Sequence, residues 1–439
     1  MIRRMNNLRA IAAIVCILIT SVHGAEKSRR LSDFILGLNC HQFYSENTPL
    51  LRDLGLSSSR LDIVWRDISD SEGKILPDSP ILKRTLLAPL SLSNTLGILC
   101  YGHPRFQNGG RPTEISSRQA FVSFCRETVS LLKPHVRFFE IWNEWDVISM
   151  GDTPKEEGHG NPEDYVKLLA DSYKTIKKSI PEVTVLGGAT AGIGDREAYF
   201  QRILKAGLLD FCDGIVIHPY FYGEKDPVKR LPEIALPARL KKVEQWLSPY
   251  PSEKRKPLYV TEMGWPTLNT PEGVTHEQQA NWLARSVLIL ALYQDVKGVW
   301  IYELRDGKND PNDREANFGL VRWDGKPKPS YDCFRDLVRL LSENETIAKV
   351  KLGNDNVAAV KLRNSQGRYT LAIWSIFPST TFLIRLVQSS GRYAPKTIGR
   401  IQYPDGPVPV DPEGWFSVGE RPVLITVLEP DFQIHIKKK

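Results

Sequence analysis

Two stretches of this chain end in the same way, and that coincidence constrains the fold more than any other feature. Phe138-Phe139-Glu140-Ile141-Trp142-Asn143-Glu144 is a run of aromatic and β-branched residues that turns polar at its carboxyl end, the pattern of a buried strand. Pro257-Leu258-Tyr259-Val260-Thr261-Glu262-Met263-Gly264-Trp265 is built likewise, an apolar strand finishing on a glutamate. In a barrel of parallel strands the carboxyl ends face one pocket, so Asn143, Glu144 and Glu262 would meet at its mouth. Two carboxyl groups delivered to one rim are what hydrolysis of a glycosidic bond requires.

Taken in order, the rest of the chain supplies the other strands of such a barrel. Apolar runs occur at Phe34–Asn39, Ser58–Asp62, Leu96–Gly102, Thr184–Ala189, Cys212–Tyr220 and Gly298–Glu303. Helix signals fall between them. A short helix is expected around Leu50–Leu54, and Ser116-Ser117-Arg118-Gln119 reads as a capping box. Asn161-Pro162 reads as an N-cap with proline in the first turn. A charged helix follows around Arg239–Leu247, then a second capping box at Thr275-His276-Glu277-Gln278 and a closing helix from about Ser330 to Leu341. The alternation predicts an α/β fold, a (β/α)8 TIM barrel over residues 32–345. Beyond Val350 the texture changes to short alternating runs such as Val357–Leu362, Tyr369–Ser375, Thr381–Leu386 and Val423–Leu428. Residues 350–439 are therefore expected to form a small C-terminal β-sandwich, with Trp374 and Trp415 as structural residues or glycan contacts.

Residues 1–24 begin basic (Arg3, Arg4, Arg9), continue with an apolar run from Ala10 to Thr20, and end on Val22-His23-Gly24. This is the layout of a signal peptide, too short in its apolar part to span a membrane comfortably. Its removal would lower the formal charge from +7 to +4, and the remaining basic residues are scattered among acids. No nucleic-acid partner is expected; Lys437-Lys438-Lys439 reads as a solvated tail. The five cysteines left, Cys40, Cys100, Cys125, Cys212 and Cys333, lack metal-type spacing. They read as buried thiols with room for one bridge, and no metal or cofactor is expected.

The same residues carry a family resemblance. Trp142-Asn143-Glu144 resembles the acid/base strand, and Thr261-Glu262-Met263-Gly264-Trp265 the nucleophile strand, of the clan of retaining glycosidases built on (β/α)8 barrels. Within that clan the chain most resembles the family of β-xylosidases and exopolysaccharide hydrolases, glycoside hydrolase family 39. The endoglucanase and mannanase family, family 5, comes next. The resemblance implies Glu262 as nucleophile and Glu144 as general acid/base, with Asn143 on the sugar 2-hydroxyl and Arg60 keeping the nucleophile ionised. It puts His218 and Tyr220 where the clan's sixth strand sends an aromatic hydroxyl to the nucleophile, and Trp300 where the clan has an aromatic floor under the sugar. Phe318-Gly319-Leu320 and Asp324-Gly325-Lys326-Pro327-Lys328-Pro329 resemble the clan's approach to its closing helix.

Around this set, His103 at the end of the third strand is a candidate for a sugar hydroxyl, and Glu303 is a third acid at the rim. Trp145, Trp265 and Tyr302 add aromatic surface suited to pyranose faces. Each has a structural alternative: a satisfied core histidine, a buried ion pair for Arg60, core filling for Trp300. Asp146–Gly160 is a polar loop where barrels carry specificity, and Asp306–Asp313 reads as a solvated loop. The chain is thus expected to be a secreted or periplasmic glycosidase acting on β-linked oligo- or polysaccharide, with no stable membrane insertion once the signal is cleaved. A carbohydrate-binding barrel without catalysis, and a cell-wall protein held by its N-terminal segment, are the alternatives.

Overall fold

A computed structural model describes residues 18–21, 28–41, 47–87, 94–147, 160–194, 196–388, 398–403, 406–427 and 432–439. The chain divides into two compact units, Ser28–Ile347 and, together with the chain's start, Ala348–Lys439.

The first unit is a closed barrel of eight parallel strands. They are β1 Ile35–Asn39, β2 Ser59–Val64, β3 Thr95–Cys100, β4 Val136–Ile141, β5 Thr184–Gly187, β6 Gly214–Ile217, β7 Leu258–Met263 and β8 Val296–Ile301. Strand β8 pairs with β7 on one side and β1 on the other, which closes the ring. All eight fall where the apolar runs put them.

The barrel interior fixes which residues can sit where. Leu96, Ile98, Phe138, Leu186, Val216, Tyr259 and Trp300 pack together in one buried apolar cluster. Trp300 is fully buried, and its indole Nε1 donates to Ser58 Oγ at 2.8 Å, so its polar atom is satisfied. Burying a side chain of this size stabilises by roughly 5 kcal/mol. Glycine makes the space. A Cβ on Gly37 would lie 2.2 Å from the Trp300 ring, and one on Gly214 would lie 2.3 Å from the Tyr259 ring.

Among the described residues eight α-helices accompany the strands: α1 Thr48–Asp53, α2 Pro80–Leu87, α3 Ile115–Leu132, α4 Pro162–Ser179, α5 Glu197–Lys205, α6 Pro232–Leu247, α7 His276–Leu290 and α8 Pro329–Ser342. Asn161 caps α4 by accepting from the Glu163 and Asp164 amides, and Thr275 and Gln278 form the expected capping box on α7. The box expected at Ser116–Gln119 does not form. Helix α3 starts at Ile115 after an uncapped Glu114, and Gln107 Oε1 takes the amides of Thr113 and Glu114 instead. That side chain fixes the approach to the helix, whose first turn carries no side-chain cap. Among the described residues no helix is long and apolar enough to cross a membrane.

The second unit is a pair of antiparallel sheets. One carries β9 Val357–Arg363, β10 Tyr369–Ser375, β14 Val423–Val427 and β12 Ile398–Tyr403; the other carries β11 Phe382–Gln388, β13 Phe416–Val418 and β15 Phe432–Lys438. Alternate residues such as Leu371, Ile373, Ile384, Leu386, Ile425 and Ile434 form its core, as period-2 burial requires. Trp374 and Trp415 are buried and are no glycan platform; Arg385 and Lys437 lie over the Trp415 ring at 4.7 and 4.0 Å. Lys437 and Lys438 continue β15 and are no free tail, while Lys438 and Lys439 are exposed as expected. Of the expected signal peptide only Leu18–Ser21 is described, as a short strand beside β15. The remainder of 1–24, and positions 148–159 of the expected specificity loop, lie outside the described residues.

All five cysteines from Cys40 to Cys333 are buried free thiols, so the possible bridge is not made. Burial pushes Cys212 up to about 12, and pushes Cys40, Cys100 and Cys125 further up still.

Candidate active site

At the carboxyl ends of the strands the apolar filling gives way to a buried charged layer centred on Arg60 of β2. Its Nη1 donates to Glu262 Oε1 at 2.6 Å and to Asn39 Oδ1 at 2.8 Å. Its Nε and Nη2 each reach Glu140 at 3.2 Å, and Nη2 also donates to Asn143 Oδ1 at 3.0 Å. All three guanidinium nitrogens are therefore engaged, which is the condition for burying this ion at tolerable cost. Asn39 is fixed in turn by donating to the backbone carbonyls of Thr261 and Ile301. Asn143 donates to the Tyr101 hydroxyl at 3.4 Å.

The two glutamates at the strand ends face different surroundings. Glu262 accepts from Arg60 through Oε1 and from the Tyr220 hydroxyl through Oε2 at 3.0 Å. Burial alone would raise its pKa, but His218 and Arg60 more than offset this and hold it at about 2. Glu144 lies just beyond β4 with Oε1 2.7 Å from His218 Nδ1. Burial raises its pKa, the charge of Glu262 adds to the rise, and His218 opposes it. His218 completes the linkage, with Nε2 2.9 Å from Thr261 Oγ1. Burial pushes the His218 ring down, but Glu262 and Glu144 together lift it above its usual range. One donor atom each of Glu144, Glu262 and His218 all lie within 4.8 Å of one another. This is the metal-capable grouping among the described residues, and its donors already bond to one another, to Arg60 and to Tyr220.

The turn that delivers Glu144 is strained. Trp142 and Glu144 have φ of 63° and 46°, in the left-handed region that non-glycine residues avoid. Each costs about 1–3 kcal/mol. Packing of the Trp142 ring against Tyr101, Phe121 and Trp145 offsets it.

Beside this centre, on β1, β2 and β8, a second polar group meets. His41 Nδ1 lies 2.7 Å from Asp62 Oδ2, and its Nε2 lies 2.8 Å from the Tyr302 hydroxyl and 3.3 Å from Glu303 Oε2. Burial raises the Glu303 carboxyl to about 8, with His41 opposing the rise. Glu303 is thus at the rim as expected.

Four aromatic or imidazole expectations are corrected. His103 is buried with both ring nitrogens taken, Nε2 by the Asp70 carbonyl at 3.0 Å and Nδ1 by the Arg105 amide at 3.1 Å. Neither remains for a sugar hydroxyl. Trp265 is 1% exposed and packs on Phe221 and Trp282, the latter on α7, away from any ligand surface. Trp300 fills the apolar layer below the charged one, so its ring cannot floor a sugar. Trp145 is likewise buried, against Tyr165 of α4. Asp306 is not solvated, since it is 7% exposed and pairs with the buried Lys328 at 2.8 Å.

Sequence reasoning missed Glu140, Asn39, His41 and Asp62. Glu140 had a visible signal, a charge inside an otherwise apolar strand and two residues from the inward Phe138. The others lie just past or near strand ends, where no motif marks them.

Neither a protein-family model nor a curated protein matches the chain. Solved structures do. A family 39 glycoside hydrolase from the gut symbiont Bacteroides cellulosilyticus WH2 is 23% identical, with a TM-score of 0.71 over 91% of this chain and 81% of that one. A monomeric β-xylosidase from Caulobacter crescentus CB15 is 17% identical, with a TM-score of 0.56 over 93% and 96%. A GH5_18 from Bifidobacterium longum subsp. infantis is 15% identical, with a TM-score of 0.54 over 70% and 78%. The chain is built on the same fold as these glycoside hydrolases.

Proposed function

We propose that this protein is a retaining glycoside hydrolase that cleaves β-glycosidic bonds in an oligo- or polysaccharide through a covalent glycosyl-enzyme. The observation that carries the proposal is the unequal pair: Glu262 held ionised by Arg60, His218 and Tyr220, and Glu144 with its pKa raised by burial beside that charge. Environments that push two neighbouring carboxyl pKa values apart assign one as nucleophile and the other as acid. The close approach of their oxygens, within 4.8 Å, suits the roughly 5–5.5 Å carboxyl separation of retaining enzymes and leaves little room for a water as inversion requires.

In this reading Glu262 attacks the anomeric carbon while Glu144 protonates the departing oxygen. Glu144, now a carboxylate, then takes a proton from water as that water displaces Glu262 from the same carbon. Asn143, anchored by Arg60, holds the 2-hydroxyl, a contact that strengthens as the ring flattens toward the oxocarbenium state. In this reading Glu303, at the rim beside this centre, meets a hydroxyl farther around the ring, and His41 holds Glu303 in position. Export by way of residues 1–24 belongs to the same proposal, and N-terminal sequencing of exported protein should begin near Ala25.

The decisive test is the anomer first released. NMR before mutarotation should show retained configuration, and an inverted first product overturns the mechanism. Glu144→Ala should slow substrates with poor leaving groups far more than activated aryl glycosides, since only the former need protonation.

A further inference from the structure

The molecule has ten tryptophans, and nine of them are buried to 6% exposure or less. Trp323 is the exception, 50% exposed. A single exposed apolar side chain is ordinary on a protein surface. What sets this one apart is the device beneath it.

Trp323 stands at the tip of a tight hairpin in the loop after β8. The Arg322 amide donates to the Lys326 carbonyl at 2.8 Å, and the Gly325 amide to the Arg322 carbonyl at 2.8 Å. Gly325 has φ of +83°, the left-handed residue that such a turn needs. Asp324 accepts from the Lys326 amide at 3.1 Å and pairs with its ammonium at 2.8 Å. At the base, Lys328 and Asp306 form a buried ion pair at 2.8 Å, Gly319 donates to the same Asp306 oxygen, and Lys328 reaches Thr267 Oγ1. Burying both ions is expensive, and the mechanism uses neither. Their effect is to hold this loop in one shape.

The hairpin also has a defined place. Leu320 and Val321 donate to the carbonyls of Glu303 and Leu304, and the segment runs parallel to the chain leaving β8. It therefore rises beyond the carboxyl-end rim from the Glu303 side. Trp323 lies in the turn two residues beyond Val321, on the same carboxyl-end side of the barrel as the loop that carries it. Its chain neighbours Arg322, Asp324 and Lys326 are exposed as well. A rigid aromatic face with polar neighbours is the chemistry that stacks on a pyranose and bonds its equatorial hydroxyls.

We infer that Trp323 is an outlying subsite for a pyranose unit of a chain-like substrate, beyond the sugar whose bond is cut. This rests on the glycosidase reading for the nature of the ligand. The substrate then extends past the pocket on the β8 side, and Trp323 discriminates polymers from short glycosides.

The test uses the full chain carrying Glu262→Gln, so that nothing is turned over. It is run in affinity gels containing soluble xylan, glucomannan or mixed-linkage β-glucan. At least one polysaccharide should retard it, Trp323→Ala should weaken that retention about tenfold, and Trp323→Phe should restore most of it. Iodide quenching supplies a readout without a Trp323 variant. With nine tryptophans shielded, the quenchable fluorescence reports Trp323, and the retarding polysaccharide should protect it. No retardation in any gel, equal retardation of the alanine variant, or no protection from iodide overturns the inference. Hydrolysis of aryl β-glycosides by the unmodified protein is scored separately. Its absence would overturn the enzymatic reading while leaving Trp323-dependent retention to stand as a binding site.

Discussion

Two adjacent layers inside the barrel show opposite physics. The lower one, around Trp300, Tyr259 and Phe138, is apolar and close-packed, with glycines cut to the shape of its rings. The upper one, around Arg60, Glu140 and Glu262, is charged and equally buried. Phe138 and Glu140 belong to different layers yet sit two residues apart on one strand. The lower layer stabilises simply by leaving water. The upper one must first overcome a desolvation cost of several kcal/mol per ion, which only complete pairing recovers. The contrast separates what holds the barrel from what the barrel is for.

The largest effect should come from Glu262→Gln, which keeps the shape of the upper layer and removes its reacting charge. Turnover should fall by roughly 10⁴-fold or more in protein that is still folded, since Arg60 keeps Glu140 as its partner. A variant that retains activity would dissolve the contrast at its centre. Trp300→Ala attacks the other layer. It should cost about 3–5 kcal/mol in denaturant unfolding, with KM and kcat of the folded fraction nearly unchanged. A large rise in KM without loss of stability would return Trp300 to the ligand.

Arg60→Met should cost a comparable 3–5 kcal/mol at neutral pH, because it strands two buried carboxylates. Here pH gives the sign. In the parent protein Glu262 has a depressed folded pKa, so its contribution is present above the unfolded carboxylate value of about 4.3 and is lost as pH falls toward about 2. Without Arg60 the stranded carboxyls are easier to bury protonated, so the variant should regain stability as pH falls from 7 toward 5. Unfolding curves across that range check it, and parallel slopes would mean the ion pairs matter little. The smallest effect is expected of Glu303→Gln. It should remove an inflection near about 8 from the alkaline side of the kcat/KM profile, with less than a tenfold change at its optimum.

The eight barrel strands and the sandwich were legible because both rest on periodicity, which burial enforces directly. Glu144, Glu262 and Asn143 were legible because strand ends in a parallel barrel share one rim, and Arg60, His218 and Tyr220 through the family resemblance. The tryptophans were not. Alternation tells which side of a strand a residue faces, yet not how high in the barrel it sits or whether a neighbouring helix covers it. Trp300 faces inward one layer too low, and Trp265 lies past its strand under α7. His103 was misread for a related reason, since its partners are backbone groups that no side-chain pattern records. His41 and Asp62 meet only because β1 and β2 are neighbours in register.

The five shielded thiols have a practical consequence. Reaction with a disulfide reagent requires a thiolate in contact with solvent, and the native protein offers none among these cysteines. Modification must wait for the chain to open. When reclosing is slower than reaction, the labelling rate is the opening rate; when reclosing is faster, it reports the population of the open form. The molecule therefore carries its own stopwatch for unfolding, distributed over Cys40, Cys100, Cys125, Cys212 and Cys333 and needing no added probe. Mass spectrometry of partly labelled protein would show whether these positions open together or in sequence.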